Sequence, residues 1–368
     1  MNAVESYLSM PAPDRAQHLW RYTPWHRIHP SGVPSELPDV VSPALVNLTY
    51  LDGSELPDGV KLSMATDLSG SKHEDDVAST FIRAICGDRA IKITVEDGIN
   101  CEQPLLLSVE SGKGICSLQV ELNIGCRAEC ELITMIEGAS DWFGLLRTGI
   151  ISEGAIFNDT VVNRLGSSQF LRWERIDLSQ NCEVKIGTVG SGGTRTKADL
   201  RYLLSGRGCN LKVNGSIFSA GGQHNDHHVE ILHEAPDTFS RLNWHSSCGG
   251  KSRTIGTGML RIANGAKGSD SAQVFNNLLL SREAEADSIP ELEVLENEVV
   301  GCGHGTASGT VDDEQMFYLK TRGFSEIGAK GILIAAFLNA PLKEMGSNTM
   351  HSWLNRLLFE DFFPELIE

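Results

Sequence analysis

Between residues 90 and 305 the chain is a succession of short strand-like runs, with no segment of helical length among them. AIKITVE (90–96), PLLLSVE (104–110), CSLQVELN (116–123), AECELITMI (128–136), AIFNDTVVN (155–163), EVKIGTV (183–189), ADLRYLL (198–204) and CNLKVNGSIF (209–218) are separated by Gly, Asn, Asp and Ser. Several alternate cleanly, with Ile91, Ile93 and Val95 on one side of a strand and Leu118, Val120 and Leu122 on one side of another. Proline has no backbone donor and is shut out of sheet interiors. Eight of the thirteen prolines crowd between Pro11 and Pro57, and only Pro104, Pro236 and Pro290 lie between 58 and 340. The middle of the chain is therefore free to build long ladders, and without helices between strands βαβ units are excluded. Sandwiches, barrels and stacked solenoids remain. No strict repeat period chooses among them.

The ends read differently. The segment up to Pro57 forms a loop-rich arm with a short helical piece near Asp14–Tyr22. After residue 310 the apolar period changes to that of helices. Thr310, three positions before Asp313, is expected to cap a helix through Arg322 that ends at Gly323. Ser325 caps a second helix to about Asn339, and Ser347 a third. On the third, Met350, Trp353, Leu354, Leu357 and Leu358 form one stripe with no evident partner in the β region. It is read as the core of a helical subdomain, or as a docking face. The expected divisions are an N-terminal arm at 1–60, a β core at 61–309 and a helical subdomain at 310–368.

The chain has 368 residues, with 31 Lys+Arg against 48 Asp+Glu, a formal net charge of −17. That acidity argues against a nucleic-acid binder. There is no apolar run long enough for a membrane helix and no signal-peptide pattern at the start, so the expected location is cytoplasmic. The nine cysteines are odd in number and scattered, without a CxxC pair. They read as small packing residues rather than as a disulfide framework. The nearest pair, Cys126 and Cys130, shares a face if it lies on a strand.

Motifs for nucleotide and hydrolytic chemistry fail. Gly250-Lys251-Ser252 resembles the end of a phosphate loop, but His245 stands where its first glycine belongs. Gly190–Gly193 and Gly301–Gly305 lack the dinucleotide spacing, and neither GxSxG nor HExxH occurs.

Two groups remain as candidates for chemistry. In the segment 223–237, His227, Val229, Ile231 and His233 share one strand face, which reads as interior. His224, Asp226, His228 and Glu230 share the other, which reads as solvent-facing. Alternating imidazole and carboxylate suits a divalent metal if a neighbouring strand adds a ligand, or simply a solvated polar face. In Cys302-Gly303-His304, thiol and imidazole point the same way if the segment is a strand, a pair suited to iron or zinc and amounting to half a site. The alternative is a small-residue turn leaving the β region.

The stretch from Asp226 to Phe337 resembles the SufB/SufD family of iron–sulfur cluster assembly proteins. The residues that carry the resemblance are ordered blocks. They run from Asp226-x-His228-x4-His233-Glu-Ala-Pro236 through Gln273-x3-Asn277-Leu-Leu-Leu-Ser281, Ala284, Pro290-Glu-Leu-Glu-Val294 and Val299. Cys302-Gly-His304-Gly-Thr-Ala-Ser-Gly309 and Asp313-Glu-Gln-x-Phe317-Tyr-Leu319-x-x-Arg322-Gly323 follow. Trp20-Arg-Tyr-Thr-Pro24 resembles the entry segment of SufD-type members. The Cys-x-His-Gly form at 302–305 is similar to SufD rather than SufB, while Gly303 stands where serine is common.

The resemblance implies a mostly β fold, a right-handed parallel β-helix core with the N-terminal arm and C-terminal helices attached. It implies no catalytic residues and no enzyme activity of the chain's own, but a scaffold subunit of a SufBCD-type complex. Its partners would be a SufC-type ABC ATPase, which accounts for the missing phosphate loop, and a SufB-type paralogue or a second copy of the chain, as a hetero- or homodimer. The cargo is a nascent Fe–S cluster or iron, and the resemblance leaves room for a reduced flavin in the complex. Its implied iron or cluster ligands are His304 first, then Cys302, with His228 and His233 behind them. Phe317, Tyr318, Arg322, Ile334 and Phe337 are the implied ATPase-docking residues. The rival reading is a structural adaptor that stabilises partner and ATPase without ligating iron. A carbohydrate-active β-helix enzyme would need paired carboxylates on adjacent coils.

Overall fold

The computed structural model describes residues 2–65, 76–87, 89–190 and 192–362. The strand-like runs form a parallel β-solenoid. Successive strands alternate between two sheets, of ten and nine strands among the described residues, and from Ala90–Val95 onward each strand pairs in parallel with the next but one. Residues at alternate positions point into the space between the sheets, and these are the apolar ones expected from the sequence: Ile91, Ile93, Val95, Val120 and Leu122 are all buried.

The register explains why no repeat period was visible. Gln169 faces Arg195 on the next rung, a short step along the chain, whereas Arg253 faces Glu285, a clearly longer one. The step from Glu129 to Ile156 falls between them. Each turn lengthens or shortens in its loops, so rungs stack in register while the sequence drifts. Large interior rings are seated by glycines on the neighbouring rung. A Cβ at Gly215 would lie 2.1 Å from the Trp244 ring.

The interior also holds charge. Arg147 donates to Asp159 (2.7 Å) and to Glu174 (2.8 Å), and Arg172 donates to Glu174 (2.8 Å) and Thr188 (3.1 Å). Tyr202 completes the set at 2.8 Å from Glu174. Two guanidiniums and two carboxylates, all buried, are thus paired inside the solenoid.

Both outer faces are partly covered. The ten-stranded sheet carries outward-facing Leu146, Leu171 and Trp173, which pack under the helix Val77–Cys86 and under Tyr7, Trp20, Trp25 and Ile28 of the N-terminal segment. That helix was not expected. Its sign in the sequence is the cap Asp76, whose carboxylate accepts from the Ser79 amide. The expected helical piece at Asp14–Tyr22 is only a 3₁₀ turn, His18–Trp20, flanked by helices Ala3–Ser9 and Trp25–Ile28.

The C-terminal helices run Asp313–Thr321, Glu326–Asn339 and Asn348–Phe362. Ser325 caps the second and the Ser347 hydroxyl accepts from the Met350 amide at the start of the third, as expected. The first is capped by Asp312, not Thr310, because Thr310 is the last residue of the strand Gly301–Thr310. The stripe Met350, Leu354, Leu357 and Leu358 does have a partner in the β region. It packs on Ile133, Val162 and Val189, which point outward from the nine-stranded sheet.

Among the nine free cysteines six are buried. Cys126 precedes the strand Glu129–Gly138, so it does not share a strand face with Cys130. No helix of the described residues is long and apolar enough to cross a membrane.

Candidate functional site

The two ends of the solenoid finish differently. At the first end the short antiparallel strands Leu45–Tyr50 and Val60–Ala65 close the two sheets. At the last end the sheets stop at Glu285–Val294 and Gly301–Thr310, each 10 residues long and paired along one side only among the described residues. Two long backbone edges lie open there side by side, and an uncovered edge of this length is a template for another strand.

Cys302-Gly303-His304 lies on that last strand, not in a turn. Cys302 stands opposite Ser271, and His304 opposite Gln273. Gln273 points between the sheets, since its amide donates to the Glu291 carbonyl of the facing sheet at 2.9 Å. Cys302 and His304 are therefore on the inner side of the final rung, at the mouth of the solenoid. Cys302 is half-buried against the core, and burial pushes its thiol up from the ordinary value. His304 is exposed, because no further turn covers it. Around them the strand is bare. A Cβ at Gly303, Gly305 or Gly309 would meet no atom within 4 Å. These glycines are not needed for packing within this chain, and they leave room for another backbone to approach.

The histidines of 224–233 are placed elsewhere. The interior face is as expected, with His227, Val229, Ile231 and His233 all buried. His233 is held at both nitrogens, Nδ1 at 2.7 Å from Thr238 Oγ1 and Nε2 at 2.8 Å from Ser240 Oγ. Burial lowers its pKa to about 4. The second face is not solvated. The N-terminal segment covers it, and Thr23 Oγ1 donates to Asp226 at 2.6 Å while Lys197 Nζ donates to the other oxygen at 3.0 Å. His228 lies 2.7 Å from Thr257 Oγ1 with its ring edge against His18, and burial holds its pKa well below the ordinary value. His228 is thus on an outer face and His233 inside at the far end of the same strand. Neither is brought to His304. Among the described residues no three His, Cys, Asp or Glu side chains gather into a metal site.

The five docking candidates divide. Ile334 is buried, and Phe337 stacks on His245 with ring centroids 4.5 Å apart while its carbonyl bonds that imidazole. These two fasten the helix Glu326–Asn339 to the solenoid. Phe317 (71% exposed) and Tyr318 (56%) stand on the helix Asp313–Thr321, which has no buried residue, and Arg322 lies over the Tyr318 ring at 5.1 Å. Phe324 (47%) and Ile327 (67%) are exposed as well, just beyond this helix. The sequence reading did not single them out, although both flank the helix cap at Ser325.

The family model for the SUF system FeS cluster assembly SufBD core domain matches residues 107–337. The chain belongs to the SufBD family. The SufBD match covers most of the solenoid, its open mouth and the first two C-terminal helices. Among curated relatives, a SufBD family protein of Mycobacterium leprae is 34% identical over 167 residues, 44% of this chain and 43% of that protein. A SufBD family protein of Mycobacterium tuberculosis is 33% identical over 167 residues, covering 44% and 42%. The iron–sulfur cluster assembly protein SufD of Escherichia coli is 30% identical over 146 residues, covering 40% and 34%. The matches thus span less than half the length of these SufBD relatives.

Proposed function

We propose that this SufBD chain is a SufD-like scaffold subunit in which the open end of the solenoid joins a second SufBD chain and a nascent iron–sulfur cluster is assembled at the junction. The observation that carries this reading is the pair of long unpaired edges with Cys302 and His304 on the inner side of one of them. Strand addition would continue both sheets into the partner, satisfying the edge N–H and C=O groups. His304 would offer a neutral imidazole to iron, and Cys302 a thiolate once iron displaces the proton that burial otherwise retains. One imidazole and one thiol make an incomplete ligand set, so the remaining ligands come from the partner chain. His228 and His233 serve the fold in this reading, being engaged with Thr257, Thr238 and Ser240.

The division of labour follows the same lines, with residues 61–309 as scaffold core, 1–60 as covering arm and 310–368 as docking subdomain. An ABC-type ATPase would dock on Phe317, Tyr318 and Arg322, joined by Phe324 and Ile327, and its ATP cycle would shift the junction between open and closed arrangements.

The test is anaerobic reconstitution of the chain together with its partner, with iron and sulfide, followed by visible absorption. H304A is expected to lose the cluster chromophore while the two chains still co-elute. Identical spectra for wild type and H304A would replace this reading with that of a structural adaptor.

A further inference from the structure

One cleft lies away from the open end and has the opposite character to the rest of the chain. It is bounded by the N-terminal segment and by the first residues of the strands Arg195–Leu204 and His224–His233. Arg15, Tyr22, His26, Arg27, Arg195 and His224 line it, around about 200 Å³ of space. No carboxylate lines it, in a chain whose net charge is −17.

Two of the guanidiniums are held in place without being neutralised. Arg195 Nη1 donates to the Arg27 carbonyl at 2.9 Å, and Arg15 Nε donates to the Arg21 carbonyl at 3.4 Å. Among the described residues none of Arg15, Arg27 and Arg195 is in an ion pair. Asp226 does not line the cleft; it is buried and is spent on Thr23 and Lys197. The groups of the floor feel the same crowding. Arg195 is shifted down from its ordinary value by burial and then by the Arg27 guanidinium. His224 is lowered by burial, and Arg195, Arg253 and Lys197 push the same way against Asp226. Crowding like charges in a concave site costs free energy that a bound anion would offset.

We propose that this cleft binds the dianionic phosphoryl group of free phosphate or of a phosphomonoester. Guanidinium forks match the oxygens of a tetrahedral oxyanion, and three of them converge from two elements, the arm and the sheet. Tyr22 offers a ring at the wall for the organic part of an ester. The site is independent of the cluster junction, because it uses the arm and the opposite sheet from His304.

The experiment is calorimetric titration of the full chain with inorganic phosphate and with phenyl phosphate, at ionic strength fixed with chloride. Saturable one-site binding is expected, weakened about tenfold or more in R195Q and in R27Q. Arg27 is an exposed side chain, so R27Q leaves the arm docked and keeps the test valid if R195Q loosens it. Phenyl phosphate binding the more tightly identifies a phosphomonoester as the ligand, and equal affinity identifies free phosphate; either supports the site. No saturable binding by wild type, or unchanged binding by both variants, would overturn the proposal.

Discussion

Gln273 and His304 stand opposite each other on the last rung of the nine-stranded sheet, yet Gln273 is wholly buried and His304 is exposed. One turn of solenoid makes the difference. Every earlier inward-facing residue is roofed by the next strand, and His304 has no next strand in this chain. A partner that adds one would bury His304 much as Gln273 is buried.

The glycines beside His304 allow that step to be tested without disturbing the fold. A side chain at Gly305 meets open space and an ordinary backbone conformation. G305K is expected to leave thermal stability within about 0.5 kcal/mol of wild type. A lysine on an edge strand blocks strand addition. Sedimentation velocity of the chain with its partner should therefore show loss of the complex. A complex of unchanged affinity would mean that the partner joins somewhere else.

The interior charge network predicts a large effect far from any surface. Glu174 accepts from Arg147, Arg172 and Tyr202, and E174A would leave two buried guanidiniums short of a partner. A loss of about 3–5 kcal/mol is expected, read as a shift of the denaturant midpoint. Burial alone would raise the Glu174 pKa, but Arg172 and Arg147 outweigh it and hold the carboxyl below its ordinary value. Its contribution is therefore present above the unfolded carboxyl pKa and is lost as pH falls through the lower folded one. Replacing Arg147 and Glu174 together by apolar residues should cost less than the sum of the two single changes, because the pair they form is counted in both.

The strands were legible because alternation survives in a solenoid whose turns vary in length. The period was not, because the step from Gln169 to Arg195 is shorter than that from Arg253 to Glu285, and drift of this size blurs any repeat. The helix Val77–Cys86 was missed although Val77, Ala78, Phe81, Ile82 and Ile85 recur at helical spacing behind the cap Asp76, because so short a stripe lies inside a stretch read as β core. The face His224–Glu230 looked solvated because its cover comes from the other end of the chain, as in the bond from Thr23 to Asp226. At the candidate site, the pairing of Cys302 with His304 follows from spacing alone. Their place on an unroofed edge does not, since it depends on where stacking stops.

A pH dependence follows from His233. The Ser269 hydroxyl donates to the Ala266 carbonyl, so Thr238 spends its proton on Ala235 or Ser269 and accepts from His233 Nδ1. Ser240 then donates to Nε2, and the imidazole is neutral with both nitrogens satisfied. Its folded pKa of about 4 lies below the unfolded value, so the unfolded chain binds the extra proton between these limits. Stability should rise with pH from about 4 to about 6.5, by up to ~1.4 kcal/mol per unit for this group. H233Q should flatten that part of the stability–pH curve measured by denaturant titration. Asp199, raised by burial and by neighbouring Asp76, acts with the opposite sign, so the wild-type-minus-variant difference is the quantity to read.

The last prediction separates docking from folding at the C-terminal helices. The helix Asp313–Thr321 buries none of its residues, so its apolar side chains contribute little to the stability of this chain. F317E should leave the unfolding free energy within about 0.5 kcal/mol of wild type. If Phe317 anchors an ATPase partner, the same change should weaken co-purification of that ATPase by about 2 kcal/mol or more, the cost of losing an aromatic anchor. Leu354→Ala gives the contrasting case. Leu354 is buried against the outer face of the nine-stranded sheet, and its truncation should cost about 2–5 kcal/mol of stability. Equal ATPase binding by F317E and wild type would show that the exposed helix serves another purpose. Weakened binding in F317E with full stability would place the ATPase on the helix that carries Phe317 and Tyr318.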